Sequence, residues 1–522
     1  MTGHVFVVHG DLTQLACDDV LVPTDRQRLV TDGFLESVPH QARGERRNRH
    51  TVVHPIQEDD GLSGRVRRLP ATPDAPRAWL LDVSFGDVEP EADWFVQGVA
   101  EFLARVAADE HPSRLNRARR LAALPLVGTG EGGAASRRDE VILRLLPALR
   151  RAAAEHGLDV ALVLADARDA GAVQFLRLRE GLLDDVLPEH QAVARRLAAQ
   201  ARAGQLALFL GAGVSAGAGL PSWGGLLRQL GEESGMSSRE LAGIGALPPQ
   251  DAASLLSERL GAERLADLVR GVFGPRRYSL SHALLAALPV VEAVTTNYDP
   301  LFERASAAAG RCVSVLPWDD AEAGRPWLLK LHGDAERPGE IVLTRDDYLR
   351  FGSARLALDA VVQTVLLTRH MLFVGFSLVD EHFVRIAHPV SSLLREARGG
   401  AAPCRVGTAL SLVHDPLRAE LWARDLETVA MVGDHDHDDA CSAGCPVPVE
   451  AARALEVFLD LLAAYTATDQ PFLLDDRYDG LLDDEDQALA VALRSLSGLV
   501  NRNRSGAHAD VADLLSRLGL RG

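Results

Sequence analysis

Four short apolar runs in this chain each break off into a cluster of small or polar residues. Leu206 to Leu210 gives way to Gly211-Ala-Gly-Val-Ser215, and Val290 to Val294 to Thr295-Thr-Asn-Tyr-Asp299. Trp327-Leu-Leu-Lys-Leu331 gives way to His332-Gly-Asp334, and His370 to Val374 to Gly375-Phe-Ser-Leu-Val-Asp380. Short apolar runs bounded by glycine or polar residues read as buried strands. After the first of them, Ser222 reads as the N-cap of a helix over Trp223 to Glu233, and Gln250–Ala262 and Glu263–Phe273 repeat apolar residues at helical spacing. The pattern therefore predicts a parallel sheet with a helical insertion. In such sheets ligands bind beyond the carboxyl ends of the strands, so the four clusters are expected to share one crevice. Polar capping of strands and helices explains each cluster singly but not the set.

Upstream, Val5 to Asp25 holds two short β-rich runs separated by a polar turn at Gly10-Asp11, and Ala78 to Val83 and Val160 to Ala165 read as strands. They alternate with helix-like segments over Trp94–Ala108, up to Ala153 or beyond, and after Asp169, which is an α/β pattern. Glu180 to Ala203 reads as a helical connector. Arg405–Val413 reads as the last strand, Leu426–Met431 follows it, and from Val449 onward the pattern is helical, with Leu455, Phe458, Leu459, Leu461 and Leu462 on one apolar face. That tail is expected to pack on the central domain or to make oligomer contacts. The domain division is 1–180, a connector over 181–203, a central domain over 204–435 and a helical region over 446–522.

A length of 522 residues suits about three domains, and a chain that is 47% hydrophobic and 25% charged folds as a globular protein. The net charge of −18 argues against broad binding of nucleic acid, leaving Arg43–Arg49 and Arg65–Arg68 as local basic patches. Five cysteines make no disulfide framework, and the N-terminus opens as a strand, which points to the cytoplasm. The longest uncharged window, Leu206–Leu227, holds six glycines and a proline, so no membrane span is expected. His435, His437, Cys441 and Cys445 have the ligand types of zinc without a familiar structural-zinc spacing, and no metal is expected.

Taken in order, Gly211-Ala-Gly-Val-Ser-Ala-Gly-Ala-Gly-Leu-Pro221, Thr295-Thr-Asn-Tyr-Asp299, Lys330-Leu-His-Gly-Asp334 and Gly375-Phe-Ser377 resemble the sirtuin fold family over about residues 204–435. The resemblance implies a Rossmann-like sheet and NAD as the ligand and substrate. It places Gly211, Ala212, Gly213, Ser215 and Gly219 around the pyrophosphate and nicotinamide ribose, Asn297 and Asp299 at the nicotinamide end, and Gly375 and Ser377 on the adenosine side. Asn297 and His332 become the catalytic candidates, one to orient a nucleophile and the other to take its proton. Sirtuin deacylases carry two Cys-x-x-Cys pairs between the middle strands, whereas only Cys312 lies between Asp299 and His332 here. Trp223 and Tyr298 are further departures from that pattern. The chain is thus closer to bacterial sirtuin-like effectors of anti-phage defence that consume NAD. The expected reaction is hydrolysis of NAD to ADP-ribose and nicotinamide, with a homo-oligomer and a companion ATPase or other trigger protein implied. Protein ADP-ribosyl transfer or deacylation, and sensing without turnover, are the alternatives.

Gly10-Asp11-Leu12-Thr13, Asp18-Asp19-Val20-Leu21-Val22 and Pro125-Leu-Val-Gly-Thr-Gly-Glu-Gly-Gly133 resemble the macrodomain pattern, with Pro23-Thr24-Asp25 where that family has an asparagine-containing turn. This resemblance implies an ADP-ribose-type ligand at Asp11, Gly128, Gly130, Gly132 and Gly133.

Overall fold

The computed structural model describes residues 2–55, 64–73, 75–84, 91–130, 132–183, 186–274, 276–354, 356–397, 405–433, 447–500 and 506–520. The chain divides into two compact units, Met1–Gln191 with Asp460–Gly522, and Ala192–Leu459.

The first unit contains β1 (Val5–His9), β2 (Asp19–Thr24), β3 (Leu29–Thr31), β4 (Arg43–Arg47), β5 (His50–Val53), β6 (Val66–Arg68), β7 (Arg77–Asp82), β8 (Leu121–Pro125) and β9 (Asp159–Leu164). Six of them form one sheet in the order β1-β9-β8-β2-β7-β6, parallel except for the β6–β7 pair. Strands such as Asp159-Val-Ala-Leu-Val-Leu164 are buried along their whole length, as expected where helices cover both faces of a sheet. Phe95, Phe102 and Val106 of helix Ala92–Ala108 and Leu145 and Leu149 of helix Arg138–His156 build the core.

Two features of this unit were not read from the sequence. The tail was expected on the central domain or in oligomer contacts; its stretch up to Leu459 falls in the second unit, but from Asp460 onward it belongs to the first, where Phe472, Leu474, Tyr478, Leu481 and Leu515 enter the core. Asp460 is buried there, accepting from Arg177 Nη1 at 3.1 Å and Val7 N at 3.2 Å, with His4 Nε2 at 2.8 Å. Burial alone would raise its pKa, but Arg177 and His4 outweigh burial and hold it below the ordinary carboxylate range. Second, β3, β5 and β4 form a separate antiparallel sheet, in which the basic run from Arg43 lies as an exposed strand. Arg46 pairs with Asp32 at 2.8 Å and Arg47 with Glu45 at 3.2 Å, so part of that positive charge is matched locally.

The second unit holds β10 (Leu206–Leu210), β11 (Glu292–Thr295), β12 (Ser314–Leu316), β13 (Trp327–Lys330), β14 (His370–Val374), β15 (Gly407–Val413) and β16 (Leu426–Val432). They form a seven-stranded, all-parallel sheet in the order β12-β13-β11-β10-β14-β15-β16. The chain builds outward from β10 through β11 to β13 and β12 on one side, then crosses to β14 on the other. β10 is therefore the switch point of the sheet, where loops leaving in opposite directions open a crevice. Phe209, Phe373 and Phe383 pack beneath it, with ring centroids 5.1–5.3 Å apart.

Helices Trp223–Glu233, Ser238–Ile244, Pro249–Leu260 and Ala262–Phe273 make up the insertion. Ser222 caps the first of them by accepting from Gly225 N at 3.3 Å, and Ser237 and Glu240 form a capping box on the second. Leu265, Val269 and Phe273, spaced four apart, are the buried stripe of the last. Among the described residues, no helix is long and apolar enough to cross a membrane. The His435, His437, Cys441 and Cys445 cluster falls outside the described residues.

Candidate functional site

A cavity of about 1060 Å³ lies in the second unit at the carboxyl ends of its central strands. The loop after β10 supplies Ala212, Gly213 and Ser215, the loop after β11 supplies Thr296 to Asp299, β13 leads to His332, and β14 leads to Gly375, Phe376, Ser377 and Asp380. Leu226, Leu227, Leu241 and Ile244 of the insertion form an apolar wall. Of the residues expected to hold the dinucleotide, Ala212, Gly213, Ser215, Asp299, Gly375 and Ser377 line this cavity together with Asn297 and His332, whereas Gly211 and Gly219 do not.

Close backbone approach accounts for three of the glycines. A Cβ on Gly211 would lie 2.4 Å from Gly375 O, one on Gly213 2.7 Å from Gly375 Cα, and one on Gly375 2.5 Å from Val214 N. These three glycines let two strand-end loops interlock backbone to backbone. Gly211 N donates to Val374 O at 3.0 Å, Gly213 N to Gly375 O at 2.9 Å, and Val214 N and Ser215 N to Gly211 O and Ala212 O at 3.1 Å. The following helix is one turn, Gly213–Ala216, whose dipole is slight. Gly375 also has a φ of +65°, and Leu378 in the same loop one of +59°, a conformation rare for a branched side chain. Gly375→Ala is expected to destabilise the protein by about 2–5 kcal/mol, combining left-handed strain with a backbone clash. A urea-unfolding midpoint within error of the parent would refute this.

Asn297 is half-buried and held on both sides. Its Nδ2 donates to Gly211 O and Ser215 Oγ, each at 3.1 Å. Because a carbonyl only accepts, the Gly211 contact fixes which way the amide faces, and both amide hydrogens are spent. The remaining polar atom, Oδ1, is left for a ligand. Ser215 Oγ donates in turn to Asp299 Oδ2 at 2.8 Å, and Asp299 Oδ1 accepts from Leu301 N at 3.1 Å. Ser215 and Asp299 thus position Asn297.

His282 belongs to the same network and was missed in the sequence. Its Nδ1 lies 2.8 Å from Ser279 Oγ and its Nε2 3.4 Å from Ser215 Oγ, fully buried. The Ser279-x-x-His282 spacing at a helix start was the available signal. Burial lowers its pKa to about 4, against a smaller opposing pull from Asp299. The folded pKa lies below the unfolded value of 6.5, so folding favours the neutral ring. The stability is complete above pH 6.5 and is lost as pH falls toward 4, by about 2 kcal/mol at pH 5 from this one group. His282→Asn is expected to flatten that dependence in urea titrations between about pH 7 and 5, and parallel curves would refute the assignment.

His332 is buried, its ring stacked on His382 at 5.8 Å and meeting Tyr348 edge-on at 5.4 Å. Its Nε2 stands 3.9 Å from Asp380 Oδ2. Tyr298, one of the departures noted in the sequence, is a wall: its hydroxyl donates to Val342 O at 2.8 Å and its ring packs on Trp223 and Phe273. Asp380, the last residue of the fourth strand-end cluster, also lines the cavity, as does Tyr348, which did not stand out in the sequence.

In the first unit, Asp11 follows β1 and Gly128 follows β8, two parallel strands either side of β9, so both loops leave the same sheet edge. Asp11 Oδ1 accepts from Thr13 N and Oγ1 at 2.8 Å, capping a short turn. Gly128, with φ +82°, has no room for a Cβ beside Phe95, while Gly130 faces open space. Gly132 approaches Gly128 closely and Gly133 has a φ of +91°.

Residues 291–418 match the SIR2-like domain family. The chain is 30% identical over 217 residues to an NAD(+) hydrolase ThsA of Enterococcus faecium, an alignment covering 40% of this chain and 44% of that protein. It is 30% identical over 197 residues to an NAD(+) hydrolase ThsA of Bacillus cereus, covering 36% and 40%. It is 28% identical over 216 residues to defense-associated sirtuin 2 of Bacillus subtilis, covering 39% and 21%. The chain thus aligns with less than half the length of these curated relatives. The strand ends that carry Asn297, His332 and Asp380 all fall within the matched span, so the second unit carries a SIR2-like domain.

Proposed function

We propose that the second unit hydrolyses NAD at the nicotinamide–ribose bond and that the protein is an anti-phage effector that depletes NAD. The observation that carries this reading is Asn297, whose amide hydrogens are tied to Gly211 and Ser215 while its Oδ1 remains for a ligand in the cavity that His332 also lines. Cleavage of this bond passes through an oxocarbenium-like state and needs one well-placed nucleophile. Water held by Asn297 Oδ1 attacks the anomeric carbon as the bond to nicotinamide breaks. The bonding pair leaves on the nicotinamide nitrogen, and the water proton passes to His332. The absence of any Cys-x-x-Cys pair in the sequence favours water over an acyl-lysine acceptor. The names of the relatives support both the hydrolase and the defence role.

Within the same reading, the first unit is a macro-like module for an ADP-ribose-type ligand at the edge bearing Asp11 and Gly130. Homo-oligomerisation, a trigger protein and a cytoplasmic setting complete it. Incubation of the full chain with NAD tests the proposal: nicotinamide and free ADP-ribose should appear one for one. ADP-ribose attached to protein would indicate transfer instead, and saturable binding without nicotinamide release would indicate a sensor.

A further inference from the structure

His332 Nε2 and Asp380 Oδ2 are 3.9 Å apart at the cavity, too far for a direct hydrogen bond. The gap suits one oxygen placed about 2.8 Å from each. Both sides of it are held in place. Asp380 Oδ1 accepts from Phe383 N at 3.0 Å and so caps the helix Glu381–Ala397, while Oδ2 accepts from Tyr348 Oη at 3.3 Å. The His332 ring is held between Tyr348 and His382, and His382 Nε2 is itself 2.8 Å from Asp359 Oδ1. Helix capping accounts for one carboxylate oxygen of Asp380 and leaves the other facing the cavity.

We propose that Asp380 is a second catalytic residue, which with His332 brackets one hydroxyl oxygen, either the attacking water or a ribose hydroxyl of the dinucleotide. The inference rests on the NAD reading above and names the group that shares the work of His332. With water in the gap, one proton passes to His332 Nε2 as the oxygen bonds to the anomeric carbon. The other stays on that oxygen and is held by Asp380 Oδ2 in place of Asn297 Oδ1, so the carboxylate ends the step unchanged. With a ribose hydroxyl there, the hydroxyl donates to Asp380 and fixes the sugar for attack.

The experiment compares the full-length parent with Asp380→Asn and Asp380→Ser, both of which keep a capping atom for the helix. kcat and KM for NAD and the calorimetric Kd for ADP-ribose are measured in the presence of a chelator. A kcat lowered about 100-fold with Kd within about twofold assigns the gap to water. A Kd raised about tenfold assigns it to a ribose hydroxyl. Both quantities within about threefold of the parent overturn the proposal. His332, Asp380 and His382 also bring ligand-type atoms within 4.8 Å of one another, so a parent whose activity needs a divalent cation and fails in chelator would overturn it too. If the parent releases no nicotinamide, the hydrolase reading falls and the Kd decides alone: a tenfold rise sustains the hydroxyl grip, and an unchanged value removes it.

Discussion

Asn297→Ala is expected to lower kcat for nicotinamide release by about 10²–10⁴-fold while leaving KM for NAD within a few fold. The expectation follows from where the side chain spends its atoms. With both Nδ2 hydrogens committed to Gly211 and Ser215, the amide contributes little to holding the dinucleotide and presents Oδ1 where the nucleophile must sit. An interaction made mainly in the transition state shows up in kcat and kcat/KM together. His332→Ala is expected to fall in the same range. The double variant should lose little more than either single one, because water positioning and proton removal serve one step. Ser215→Ala should cost less, since the Gly211 carbonyl still orients the amide. A kcat for Asn297→Ala within about tenfold of the parent would sink the assignment.

The parallel sheet and its crevice were legible because their signal is local. Five apolar residues before Gly211 became β10 at the same bounds, and Ser222 became the N-cap it resembled. Four polar strand ends on neighbouring parallel strands then had to converge. What the sequence could not carry were pairings between distant segments. The apolar face of the tail said that it was buried, but its anchor is Asp460 against Arg177, which are 283 positions apart. The glycines after β10 were legible in the sequence, but the close approach of Gly375 from another strand was not. Asp380 looked like the end of a motif, and only the fold brings its second oxygen opposite His332. The strand over Arg43–Arg47 was hidden because its side chains are almost all charged and exposed.

Lys330→Met is expected to destabilise the second unit by about 3–5 kcal/mol. Lys330 has no exposed surface, and its ammonium donates to Asp299 O at 2.9 Å and Tyr298 O at 3.3 Å. It also pairs with Glu303 at 2.8 Å and with Asp334. Burial would lower its pKa, but the two carboxylates outweigh burial and keep it charged. Methionine fills a similar volume and removes every one of these donors, which leaves Glu303 and Asp334 buried beside two carbonyls with no cation. The cost is thus that of an uncompensated charge, not of a cavity. Lys330→Met combined with Glu303→Gln should recover part of the loss, because one of the stranded carboxylates is then neutral. The same bonds tie the loop of Asn297 to the strand leading to His332, so kcat should fall in Lys330→Met even at temperatures where the protein stays folded. A urea midpoint that moves by less than about 0.5 kcal/mol equivalent would show that the ammonium is dispensable. A shifted midpoint with unchanged kcat would show that it holds the unit together without setting the geometry of the site.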